Sequence, residues 1–284
     1  EYNKRGETIE DTIKALKLLK DAGFKIATHL MPNLPGSNPE MDIEMIREFF
    51  TDQNFKPDQL KIYPCVVTPY TELEKWMNEG KFKTYDDETL IRILIEMKKI
   101  IPDYVRIERL FRDIPGESIL DGSQMTNMRQ ILESKMKALN VVCRCIRCRE
   151  IKDETYDADS TEFRSYEYDA SDGKEFFLSF NDSKRDKLCS LLRLRFPSRT
   201  FIPELKDAAL VREVHTYGAQ VKIGKDSENA SQHAGLGRRL LEKADEIAKN
   251  AGYKKMAIIA GIGTRSYYKK WGYELEGTYM TKAL

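Results

Sequence analysis

QHAGLGRRLLEKADEIAKNAG, residues 232–252, sets Gly235 and Gly237 directly before an amphipathic segment whose apolar positions are Leu236, Leu240, Ala244 and Ile247. That spacing predicts a helix over 235–250 with one face turned to a core. Glycines at a helix start let a ligand come close to the backbone. The first N–H groups of a helix have no intrahelical acceptor, and the positive end of the helix dipole lies behind them, so the turn suits a pyrophosphate. AALVREVHTYG (208–218) before it and KMAIIAG (255–261) after it read as strands, which makes this region α/β.

Working outward, 284 residues suffice for two ordinary domains. A content of 41% hydrophobic and 33% charged residues fits a globular protein that buries a core, and no stretch nears the ~18 apolar residues of a membrane span. The opening EYNKRGETIEDT has neither the apolar run nor the cleavage site of a secretory signal, so the expectation is a cytoplasmic protein with reduced thiols. The net charge of +1 names no partner.

Upstream, Ile9, Ile13, Leu16 and Leu19 recur at helical spacing, Thr8 and Asp11 sit like a capping box, and Gly23 sits like the residue just past a helix end. FKIATHLM (24–31) reads as a buried strand, Asn38-Pro39 as a helix start, QLKIYP (59–64) and YVRIERL (104–110) as strands, and ELEKWM (72–77) and DETLIRILIEMKKII (87–101) as helices. Repeated helix-strand units build a parallel sheet, and three strands are too few to close a barrel, so this region is expected to be the C-terminal part of one.

Residues 129–149 carry Arg129, Lys135, Lys137, Arg144, Arg147 and Arg149 against the single Glu133, whereas acidic residues dominate 150–175. This sign change marks a boundary and divides the chain into 1–126, a linker 127–155, and 156–284. Past it, EFRSYEY and EFFLSFN flank Asp172-Gly173 as a hairpin, and LCSLLRLRF (188–196) is a further strand. A short helix around Tyr267 and Tyr268 and a last strand TYMTKAL complete the pattern. Glu213 and His215 share one face of a strand. Either type can act as a base, but neither is placed in the catalytic set. Cys143, Cys145 and Cys148, three of five cysteines, lie within six positions, a crowding that points to metal binding or catalysis rather than disulfides.

Gln232-x-x-Gly235-x-Gly237 after a strand, with YYKKWGY (267–273) downstream, resembles the acetyl-coenzyme A site of GNAT acyltransferases. The resemblance implies a carrier-binding set of Gln232, Ala234, Gly235, Leu236, Gly237 and Arg238. It also implies Tyr268, with Tyr267 beside it, as the acid that protonates the departing thiolate; a phenol, with pKa near ~10, suits that task. Across its whole length the chain resembles the catalytic subunit of Elongator, on RGETIEDTIKALKLLKDAGFKIATHLMPNLPGS, QLKIYP, RIERLFRDIP, CRCIRCREI, REVHTYG, QHAGLGRRLL and GTRSYYKKWGY in that order.

That family joins a radical-SAM barrel to a GNAT-type domain. The resemblance therefore implies carboxymethyl-type modification of uridine 34 in the tRNA anticodon, using acetyl-coenzyme A, S-adenosylmethionine and a [4Fe–4S] cluster. Elongator-type subunits or a second copy are the implied protein partners. No cysteine triplet precedes Cys143, so the cluster ligands are expected outside this chain, and acetyl-coenzyme A and tRNA binding without radical chemistry is expected of it. CxCxxC is instead read as three thiolate ligands of a structural Zn²⁺, with His29, Cys65, His215, Cys189 or a residue absent from this chain open as the fourth ligand. Arg129, Lys135, Arg144, Arg147 and Arg149 are the expected tRNA contacts, joined by Arg106, Arg109, Arg112, Arg193, Arg195 and Arg199 in a basic groove. The alternatives are a protein or small-molecule N-acetyltransferase and a noncatalytic RNA-binding module.

Overall fold

The computed structural model describes residues 3–111, 114–157, 159–218 and 235–284. Its chain divides into two compact units, the first of Glu1–Ile9, Ala27–Asp52 and Lys56–Cys148, the second of Glu10–Ile26, Gln53–Phe55 and Arg149–Leu284. This partition differs from boundaries drawn at 126 and 155. The basic segment through Cys148 goes with the first unit, and helix α1 (Ile9–Asp21), which opens the chain, goes almost entirely with the second.

In the first unit, strands β1 (Ala27–Leu30), β2 (Gln59–Ile62) and β3 (Arg106–Arg109) form a parallel sheet in that order. Helix α2 (Pro39–Thr51) follows β1, α3 (Glu72–Asn78) and α4 (Asp87–Lys99) follow β2, and α5 (Met128–Ala138) and the single turn α6 (Ile146–Arg149) come after β3. Asn38 starts α2 as its residue type suggests, its side chain accepting the Met41 N–H at 2.9 Å, with Pro39 preset in the first turn. The apolar stripe of α4 closes over the sheet, burying Ile93, Leu94 and Met97 with Leu60, Ile62 and Ile107.

The second unit is a seven-stranded sheet of order β4-β5-β6-β7-β8-β10-β9. Its strands are β4 (Thr161–Ala170), β5 (Gly173–Asp182), β6 (Lys187–Phe196), β7 (Ala208–Thr216), β8 (Lys255–Ile258), β9 (Glu274–Glu276) and β10 (Tyr279–Ala283); β7 and β8 are parallel and the other neighbours antiparallel. Helix α7 (Leu236–Asn250) crosses between β7 and β8 and buries Leu240, Leu241, Ala244 and Ala248 in a core shared with Phe180, Leu192 and Leu194, while α8 (Arg265–Lys269) precedes β9. The hairpin turn lies one residue earlier than the sequence suggests. Ser171 (φ 50°) and Asp172 (φ 60°) form it, and Gly173 already pairs with Ala170.

Gly173 is small for another reason. A methyl group there would come 2.6 Å from a terminal nitrogen of Arg195. That guanidinium is fully buried and uses all five donors: Nε and Nη2 bind Asp21 Oδ1 at 2.8 and 2.6 Å, Nη1 binds Glu175 Oε1 and the Ala170 carbonyl, and Nη2 binds the Ser171 carbonyl. Glu175 is shared with Arg212, whose Nη2 lies 2.8 Å away and whose Nη1 binds the Phe24 carbonyl. Two carboxylates and two guanidiniums thus neutralise one another out of water, and α1 contributes one of the four. Helix α1 accordingly turns Leu16, Lys20 and Asp21 inward, whereas Ile9 and Leu19 are exposed. Gly23 (φ 85°) ends it as expected, its N–H reaching the Lys20 carbonyl and the Phe24 N–H the Leu19 carbonyl.

Candidate acyl-carrier site and metal centre

Strand β7 carries one extra residue. Glu213 pairs with Arg193 and Val211 with Leu194, so Arg212 bulges between them and the strand bends. The parallel ladder with β8 covers only Ala208–Val211 against Lys255–Ile258, while β7 runs on to Thr216. β8 therefore ends where β7 continues, and α7 begins beside the stretch of β7 that β8 does not pair. Gly235 caps that helix in the left-handed conformation (φ 64°) that glycine adopts without strain. A methyl group on Gly237 would meet Tyr267 Oη at 3.1 Å, Thr216 Cγ2 at 3.7 Å and Val214 Cγ1 at 3.9 Å. β7, the α7 start and α8 thus converge on one point.

Tyr268 is 8% exposed, set between Tyr267 and Tyr273 at centroid separations of 5.3 and 5.9 Å, whereas Tyr267 is exposed. Burial, and then Tyr267, push the Tyr268 phenol up to about 12, so it keeps its proton throughout the physiological range. Leu236 is buried and offers the site only its backbone, and Arg238 is exposed. Gln232 and Ala234 lie outside the described residues. Glu213 is not a free base. Burial drives its pKa upward, but Arg193 Nε at 2.8 Å and Lys25 Nζ at 2.9 Å outweigh that and hold the carboxylate below its ordinary range.

In the first unit, the Sγ atoms of Cys143, Cys145 and Cys148 lie within 4.8 Å of one another, the first two buried. The loop is pinned by the Ile146 N–H on the Val105 carbonyl at 2.8 Å and the Cys148 N–H on the Cys145 carbonyl at 3.0 Å. Hydrogen bonds from Cys143 and Cys148, together with the Lys98 ammonium, hold the Cys145 thiol far below its ordinary value. Lys98 itself is 1% exposed and its Nζ lies 3.7 Å from Cys148 Sγ. Burial opposes its charge, yet the three sulfurs raise its pKa, so ammonium and thiolate sustain each other. Three clustered soft donors with a buried cation behind them fit a tetrahedral Zn²⁺. Of the four residues of this chain open as fourth ligand, His29 and Cys65 do not join the group, and His215 and Cys189 belong to the other unit.

Cys65 and Cys189 are ordinary buried thiols, each pushed up to about 11 by burial. Because both values are raised in the folded chain, their contribution to stability is complete below about pH 9 and lost as pH climbs through about 11. Urea midpoints are expected to hold to pH 9 and fall above it, and neither thiol should react with maleimide at pH 7 until the chain unfolds.

The structure thins the expected basic groove. Arg193 and Arg195 are buried in ion pairs, Arg149 is 4% exposed, and Arg144 is engaged by Asp103 at 2.7 and 3.0 Å. Lys135 and Arg147 are exposed, Arg129 is half-buried, and Arg112 lies outside the described residues. Elsewhere in the first unit a cavity of about 660 Å³, lined by His29, Met31, Leu34, Cys65 and Trp76, opens past the carboxyl ends of β1 and β2.

The Radical_SAM C-terminal domain family matches residues 57–138, inside the first unit. The solved structure of the archaeal Methanocaldococcus infernus Elp3 with an N-terminal deletion superposes with a TM-score of 0.92 at 43% identity, covering 99% of this chain and 68% of that one. The chain belongs to the Elongator complex protein 3 family. Within the Elongator family, the tRNA uridine(34) acetyltransferase of Methanocaldococcus jannaschii is 45% identical over 293 residues, covering all of this chain and 54% of that protein. Elongator complex protein 3 of Danio rerio is 39% identical over 290 residues, covering 99% of this chain and 52% of that protein. This chain thus spans about half the length of these Elongator relatives. Among the described residues, no helix is long and apolar enough to cross a membrane.

Sequence reading missed Lys98. Lys98 was detectable, because it falls four residues after Leu94 on the buried stripe of α4, where a lysine needs a partner.

Proposed function

We propose that the second unit is a GNAT-type acyltransferase domain that binds acetyl-coenzyme A, within an enzyme that modifies uridine 34 of tRNA. The stretch of β7 that runs on past the end of β8, beside the α7 start, carries this reading. The amides of an extended pantetheine can bond along the open edge of β7 as an added strand does, with the diphosphate on the first N–H groups of α7 and on the loop of Gln232 and Ala234. Gly237 lets the start of α7 pack closely on Val214, Thr216 and Tyr267. Tyr268 delivers its proton to the departing thiolate, and Tyr267 stands at the carrier's phosphate end.

With Glu213 neutralised by Arg193 and Lys25, that strand has no free carboxylate to activate an amine, which favours tRNA-dependent chemistry over the N-acetyltransferase alternative. The names of the relatives point the same way. Lys135, Arg147 and Arg129 are the cations available to anticodon-region phosphates. Cys143, Cys145 and Cys148 hold Zn²⁺, which supplies rigidity to the loop rather than chemistry. In the whole enzyme, S-adenosylmethionine and a [4Fe–4S] cluster supply the radical step that yields a carboxymethyl-type product, with cluster ligands outside this chain. Cytoplasmic action with Elongator-type subunits or a second copy follows from the same reading.

Calorimetry with coenzyme A tests the site: the wild-type chain should bind it, and Gly237→Val, whose side chain would press on Tyr267, Thr216 and Val214, should abolish binding and lower Tm as well. Tyr268→Phe should keep binding but slow tRNA-stimulated thioester cleavage by ~10²-fold or more. Acetyl transfer to an added amine without tRNA would instead support the N-acetyltransferase.

A further inference from the structure

Arg238, in the first turn of α7, sits over the ring of Trp271, its guanidinium carbon 4.8 Å from the ring centroid. Glu242, one turn on, takes its Nε at 2.7 Å. With one face and one edge occupied, the remaining edge presents Nη1 and Nη2, which make no hydrogen bond among the described residues. A guanidinium fixed in this way offers two parallel donors, the pattern that phosphate oxygens accept. Trp271 also meets Tyr267 edge-on at 6.2 Å, and Tyr267 Oη lies over Gly237. Burial raises the pKa of the Tyr267 phenol, and the enclosed Trp271 indole N–H, which faces it, works against that rise. One ring therefore braces both groups that flank the amino end of α7.

We propose, resting on the carrier site above, that Trp271 is a positioning residue that holds Arg238 ready for the diphosphate of the acyl carrier and so selects phosphorylated carriers. The stack and the Glu242 bond hold the guanidinium in one place when the site is empty, so that binding does not have to order a long side chain. Trp271 touches no reacting atom. Its effect is confined to the phosphate end of the ligand.

The test uses the 284-residue chain and three probes: coenzyme A, dephospho-coenzyme A and S-acetylpantetheine, the first two followed by calorimetry and the third by saturation-transfer NMR. Trp271→Leu should weaken both coenzymes by about tenfold and leave S-acetylpantetheine unchanged, while Trp271→Phe, which keeps a ring under Arg238, should recover most of the loss. Equal losses for all three probes would mean that the residue merely packs the fold. A loss confined to coenzyme A would move the contact to the 3′-phosphate, and no loss at all would leave Arg238 independent of the ring. Each of those outcomes overturns the assignment. A wild-type chain that binds neither coenzyme removes the carrier site itself, and this inference with it.

Discussion

Arg195→Met should lower the unfolding free energy of the second unit by about 3–5 kcal/mol, because it strands Asp21 and one oxygen of Glu175 in the interior without their cation. The substituted side chain fills similar space, so the loss reports charge and hydrogen bonding rather than a cavity. Lysine should rescue little, since an ammonium has three donors and no planar fork to match the five acceptor contacts made here. Urea titration followed by far-UV circular dichroism gives the number. Adding Asp21→Asn to Arg195→Met should restore part of the loss, since the orphaned charge disappears; fully additive costs, or a single-variant loss below about 1 kcal/mol, would show that the network is not what fixes α1. Gly173→Ala should behave in the same direction, with the added methyl pressing on the same guanidinium.

Cys145→Ala is expected to abolish metal retention. The chain should purify with one equivalent of zinc and the variant with none, as elemental analysis would record. Structural zinc is worth ~10–16 kcal/mol in isolated zinc-finger peptides. If only about 4 kcal/mol of that is realised here, the variant should melt some 8–16 °C lower, and the loop between α5 and α6 should become accessible to protease. Lys98→Met should loosen the metal without removing a ligand, since it deletes the cation beside Cys148 Sγ. Cys189→Ser, in the other unit, is the control that should keep full zinc. A zinc-free wild-type chain with an ordered loop would end the metal assignment.

Features encoded locally were legible in the sequence. Gly23 needed a left-handed φ, Asn38 capped its helix, Gly235 opened α7, and CxCxxC brought its sulfurs together because a six-residue span leaves them little choice. Features that depend on distant partners were not. The alternation in LRLRF announced a strand with Arg193 and Arg195 on one face, and charge alone suggested a face open to nucleic acid. The partner that buries Arg195 is Asp21, 174 positions away, and no pattern around either residue announces the other. The hairpin shifted by one residue for a similar reason: Asp-Gly is a strong turn signal, but Gly173 was needed as space for Arg195. The bulge at Arg212 in the β6–β7 ladder left no mark in composition or periodicity.

The assignment of residues 10–26 to the second unit governs how this protein can be taken apart. A gene cut between Cys148 and Arg149 would follow the linear order of the chain, yet leave Asp21 and the Phe24 carbonyl on the wrong polypeptide. The second unit, prepared by itself for screening or crystallography, has to carry helix α1 along, by circular permutation or as an added peptide.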